Sequence, residues 1–103
     1  MKLTQSPWGP VQDQEQLADG IVQVHTAGHG GIWLRLDRQK QLPAWARNIP
    51  ATYCYKPTWW EEDSEALVPM FVFFDEMPAW VQQHGRDKLA EWLKRDGYMP
   101  EAV

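Results

Sequence analysis

The chain has a single cysteine, Cys54, and no apolar run near the roughly 18 residues that a membrane-spanning helix needs. It also lacks a strong charge of either sign. One thiol excludes an internal disulfide and fits a reducing cytoplasm. The opening residues, Met1 to Pro7, carry no apolar core of the signal-peptide kind, so a cytoplasmic protein is expected. A net charge of -4 and a pI near 5.2 argue against direct, non-specific binding to nucleic acid. The same charge is too weak to suggest a nucleic-acid mimic. Motifs are missing too. There is no HExxH, no paired CxxC, no GxxxxGK[ST] and no GxGxxG, and no Ser–His–Asp or Cys–His order suggests a nucleophile. No repeat, low-complexity tract or linker divides the 103 residues, which read as one domain, 1–103.

What is plentiful is tryptophan: Trp8, Trp33, Trp45, Trp59, Trp60, Trp80 and Trp92. A small domain rarely hides so many indoles completely, because each is bulky and its N–H needs a partner. Most are expected to build the core. Any left half-exposed would suit a binding surface, where tryptophan is enriched.

Two segments concentrate the remaining chemistry. Thr26-Ala27-Gly28-His29-Gly30-Gly31 sets one histidine among three glycines, and Thr58-Trp59-Trp60-Glu61-Glu62-Asp63 sets three carboxylates after two indoles. The first lies between β-branched runs. Ile21 to His25 precedes it, and Ile32-Trp33-Leu34-Arg35-Leu36 follows with Ile32, Leu34 and Leu36 on one face. The pattern predicts an antiparallel hairpin over 20–36 with its turn centred on Gly28 to Gly31, the glycines supplying positive φ angles. Residues 4–19, punctuated by Pro7, Gly9 and Pro10, read as irregular.

Further along, Asp37 is a plausible N-cap for a short helix from Arg38 to Leu42, and Pro43 can open another over 44–47. Ala51 to Tyr55 favours a third strand, 51–55. Thr58 to Glu61 matches a capping box, so a helix is expected from Thr58 with Glu61, Glu62 and Asp63 in its first turn. Pro69 should kink or break it. Periodicity leaves residues 70–74 open between helix and strand, with helix preferred. Proline near a helix start at 77–83, an amphipathic helix from Asp87 and a Gly97 C-cap complete the pattern. The fold class is α+β: a small antiparallel sheet with helices packed on one side.

Ser6-Pro7-Trp8-Gly9-Pro10-Val11-Gln12, Gly20-Ile21-Val22, the run from Thr26 to Leu34 and Trp60-Glu61-Glu62-Asp63 together resemble a family of small domains. That family occurs in bacteriophages, plasmids and other mobile elements of proteobacteria, and the resemblance spans about residues 6–75. Gly28 departs from the pattern, which has a small polar residue before the histidine. The resemblance implies a context, a mobile-element protein acting inside a bacterial host cell, and no activity.

His25 and His29 are four apart, but on an expected strand and turn rather than a helix, so the spacing builds no metal pair by itself, and further ligands would have to come from Glu61, Glu62 or Cys54. A histidine beside a glycine turn more commonly bonds backbone groups. Paired with Glu61, Glu62 or Asp63, His29 has the makings of a general base. Cys54, between two tyrosines in an expected strand, reads as an inert thiol. The expectation is therefore a non-enzymatic interaction protein that inhibits a bacterial defence system (anti-CRISPR or similar) by occupying the surface of a defence protein or nuclease complex. Its partner-binding residues are Trp59, Trp60, Glu61, Glu62, Asp63 and His29, with no cofactor, metal or membrane involved. The alternative is a small hydrolase or metal- or ligand-binding protein using His29 with Glu61, Glu62 or Asp63.

Overall fold

Alternation of apolar and polar residues on both sides of the glycine cluster produces the expected hairpin. In the computed structural model, which describes residues 2–47, 49 and 57–98, six short strands are present among those residues. They are β1 (Gln5–Ser6), β2 (Gly9–Pro10), β3 (Asp13–Ala18), β4 (Ile21–His25), β5 (Gly30–Leu34) and β6 (Trp59–Glu61). Strands β3 to β6 form one antiparallel sheet in chain order, and β1 pairs only with β2. The domain is α+β.

The β4–β5 register runs from Ile21 opposite Leu34 to His25 opposite Gly30. The turn is therefore Thr26 to His29, and Gly30 and Gly31 belong to the strand. None of the glycines at 28, 30 and 31 has positive φ; that conformation is found at Gly9, Gly20, Gly85 and Gly97. Gly30 and Gly31 are required for space instead. A Cβ on Gly31 would run into the Trp60 carbonyl and the Trp8 indole.

Residues 13–18, expected to be irregular, form the edge strand β3. Its sequence, Asp-Gln-Glu-Gln-Leu-Ala, is polar because one side of an edge strand faces water, which hid it from a hydrophobicity reading. The expected strand 51–55, and Cys54 with it, lies outside the described residues.

The larger correction concerns residues 58–66. Trp59 to Glu61 is not helical; it extends the sheet as β6, with Ile32 opposite Trp60 and Trp33 opposite Trp59. Aromatic residues pair well across strands, and this gain outweighs the local capping signal of Thr58 and Glu61. A turn follows, and helix α3 begins only at Leu67 (Leu67–Val72). Pro69 thus falls in the first helical turn, where its missing N–H breaks no intrahelical bond. The chain continues helically, as preferred for this stretch, into a 3-10 turn at Phe74–Glu76.

Register places Ile21, Ile32, Leu34 and Trp60 on one face of the sheet, all with essentially no exposure. Against them pack α2 (Ala44–Arg47), α3, α4 (Ala79–Gln82) and α5 (Arg86–Arg95) through Ala46, Val68, Val81, Leu89 and Leu93, with Leu42 added from the turn after α1 (Leu36–Lys40). The helix boundaries follow simple chemistry. Pro78 precedes α4, Gly85 at φ 83° precedes α5, and Gly97 at φ 78° ends α5, with the Tyr98 N–H donating to the Leu93 carbonyl at 2.9 Å. The opposite face carries Val22, Val24, Gly31, Trp33 and Trp59, and Trp8 from the β1–β2 connection covers part of it.

Strand β5 stops at Leu34, so Leu36 opens α1 and points into solvent rather than joining Ile32 and Leu34. Arg38 is buried in its place. Its guanidinium donates to both carboxylate oxygens of Glu76, at 2.6 and 2.8 Å, and to the Asp19 carbonyl at 2.7 Å. The fork-to-fork pair ties α1 to the 3-10 turn at Phe74–Glu76, and the bond to Asp19 ties it to the β3–β4 turn.

Candidate functional site

The β4–β5 turn is closed by its own polar groups. The Thr26 N–H and hydroxyl both donate to the His29 carbonyl, at 2.8 and 2.7 Å, while the His29 N–H donates to the Thr26 hydroxyl at 3.2 Å. Threonine at this position is a natural turn closer. The loop's hydrogen bonding is satisfied by His29 backbone atoms, which leaves the imidazole free to turn outward.

Strand β6 delivers the carboxylates to the same end of the sheet. Gly31 stands opposite Glu61, and the Glu62 N–H donates to the Gly30 carbonyl at 3.1 Å. The following turn is held by the acidic side chains themselves. The Asp63 N–H donates to Glu61 Oε2 at 3.0 Å, and the Glu61 N–H donates to Glu65 Oε1 at 3.2 Å. These carboxylates therefore cap backbone donors of a turn, rather than the helix start expected from their sequence.

Tertiary folding thus unites the two segments. His29 Nδ1 lies 3.9 Å from Glu61 Oε1, an ion pair whenever the imidazole is protonated. One ligand-type atom from each of His29, Glu61 and Glu62 falls within 4.8 Å of the others. Asp63 stays beside this trio without joining it. The side chain of His29 is 53% exposed and that of Glu61 only 16%, so the cluster is open on one side and rooted on the other. Burial pushes the Glu61 carboxyl above its ordinary value; the neighbouring charges of Asp63 and Glu62 add to this, while the Asp63 N–H and His29 oppose it.

Sequence reasoning gave Gly30 and Trp8 no part in this site and weighed His25 only as a ligand beside His29. A Cβ on Gly30 would lie 2.9 Å from Glu62 Oε2 and 3.5 Å from His25 Nδ1, so Gly30 forms a floor between them. His25, on the strand rather than in the turn, is thereby brought beside Glu62. The counterpart on the opposite face is Trp8, whose ring meets Trp59 edge-on at 5.7 Å between centroids. The one available signal for Trp8 was its place in a Pro-Trp-Gly-Pro turn, which says nothing about which surface it covers.

The expected binding residues divide accordingly. His29, Glu61, Glu62 and Asp63 gather at one end of the sheet, and Trp59 sits half-buried against Trp8. Trp60 is fully buried, with its Nε1–H donating to the Pro57 carbonyl at 3.0 Å, and is removed from any surface role. Adjacent residues on a strand point to opposite faces, which is what separates the two indoles.

Neither the curated proteins nor the solved structures contain a match to this chain. Residues 1–99 match a family model described as a domain of unknown function, DUF7007, and the chain belongs to that family.

Proposed function

We propose that this domain works by binding a partner protein, without catalysis, through the end of the sheet where the β4–β5 turn and the close of β6 meet. One observation carries the reading: exposed Glu62 and Asp63 stand at the end of the short strand β6, which also carries Trp59, half-buried against Trp8. Carboxylates beside an aromatic anchor suit a partner with a basic face, where charge steers the encounter and the indole supplies contact area. A catalytic pair at His29 and Glu61 is less well supported. An imidazole more than half exposed to water forgoes the dry, preorganised surroundings that make acid–base catalysis effective.

The resemblance to mobile-element domains supplies the biological setting. In that setting the partner is a protein of host defence, such as a CRISPR effector, a restriction enzyme or another immune nuclease, and binding inhibits it. Grooves built for nucleic acid are basic, which matches the acidic turn.

The test is affinity capture of the tagged protein from its bacterial host. Recovery of one stoichiometric defence subunit, lost with Asp63→Lys and Trp59→Ala while both variants still melt cooperatively, is the expected result. Recovery of no partner by the unaltered protein, or equal recovery by both folded variants, rejects the reading.

A further inference from the structure

We propose that His29, Glu61 and Glu62 form a site for a divalent transition-metal ion of the zinc type, with coordination positions left open for water or a partner's group. This does not depend on the partner-binding reading. The ligand atoms already lie within 4.8 Å of one another, with His29 Nδ1 and Glu61 Oε1 at 3.9 Å. Nitrogen and oxygen ligands bound to one zinc at about 2.1 Å each stand about 3–4 Å apart. Closing the set therefore needs side-chain rotation and no backbone movement.

The backbone geometry is prepared for this. Glu61 spends Oε2 on the Asp63 N–H, and its other oxygen, Oε1, is the one nearest His29. Glu62 is anchored through its N–H to the Gly30 carbonyl. The missing side chain at Gly30 leaves the space that the Glu62 carboxylate occupies, since any Cβ there would sit 2.9 Å from Oε2. His25 Nδ1 flanks the same space, so a second imidazole stands next to the trio. Two neighbouring carboxylates, one of them mostly withdrawn from water, repel each other, and a dication relieves that repulsion. An imidazole in the set selects zinc, cobalt or nickel over magnesium and calcium, which prefer all-oxygen shells.

The probe is zinc alone, titrated calorimetrically into chelator-treated full-length protein, with cobalt absorption as a second readout. The expected result is about one ion per chain and no comparable binding of magnesium. His29→Ala and Glu62→Gln should each weaken zinc by at least about tenfold, the minimum loss seen even for groups that only support a ligand. Glu91→Gln, on α5 and outside the trio, should leave zinc affinity unchanged. Melting curves without metal establish that each variant is folded, and His29→Gln replaces His29→Ala if the turn is disturbed. Absence of stoichiometric zinc binding, or wild-type affinity in both folded ligand variants, overturns the proposal.

Discussion

The Trp8 indole and the Trp60 carbonyl together fill the space that a side chain at Gly31 would need, so the N-terminal hairpin and β6 jointly dictate glycine in β5. The same ring meets Trp59 at right angles, which extends the contact across β5 to β6. Replacing Gly31 by alanine must therefore displace an indole or the β6 backbone, at a cost of about 1–3 kcal/mol for overpacking. Gly28, three residues earlier, has open space where its Cβ would go and no positive φ. Gly28→Ala should be neutral within about 0.5 kcal/mol, or slightly stabilising through the unfolded chain. Urea denaturation of the two variants checks this pair, and equal losses would contradict it.

The two adjacent tryptophans should separate just as clearly. Trp60 is buried and hydrogen-bonded, and Trp60→Ala should cost about 3–5 kcal/mol of stability. Trp59 is half-buried on the other face, so Trp59→Ala should cost only about 1–2 kcal/mol. Thermal melts decide between this and a shared core role, which would give similar losses.

Arg38 and Glu76 make a prediction that sequence inspection would not suggest. Glu76→Gln leaves a buried guanidinium with its best partner neutralised, and should cost about 1–3 kcal/mol. Arg38→Met, which removes the charge and keeps apolar length, should cost less than Arg38→Ala. Chemical denaturation at neutral pH measures all three. A Glu76→Gln variant as stable as wild type would remove the pair from the list of stabilising contacts.

Acid sensitivity should be traceable to Arg35. Its guanidinium bonds Asp37 and Asp19, holding Asp37 down to about 2 and lowering Asp19 as well. A carboxylate whose folded value lies below its unfolded one stabilises the fold at higher pH, and loses that contribution as pH falls through the folded value. Here the loss runs from about 3.8 down to about 2. Asp37→Asn should flatten the fall in stability over that window, and about 1 M salt should shrink the difference because these groups face solvent. Superimposable acid profiles for variant and wild type would refute the assignment.

The β4–β5 hairpin, the α+β class, a short helix on each side of Pro43 and the Gly97 cap were legible in the chain itself, though the first helix starts at Leu36 with Arg35 at its N-cap rather than behind Asp37. Each depends on neighbours a few residues apart, whose periodicity and backbone preferences act locally. The acidic run from Glu61 to Asp63 was recognisable as a chemical feature, yet its structure was misread. A capping box and a cross-strand aromatic pair use the same residues, and only the arrival of β5 alongside gives the second its advantage. Whether His29 would meet Glu61 and Glu62 was equally invisible, since they lie on separate strands and the pairing register decides their distance. Length, charge, a lone thiol and the alternation around the glycine turn were settled by the sequence alone. Which indole is buried, why Gly30 and Gly31 carry no side chain, and where the carboxylates converge were decided by contacts between residues far apart in the chain. Those contacts have no local signature, because their energy appears only once the sheet has formed.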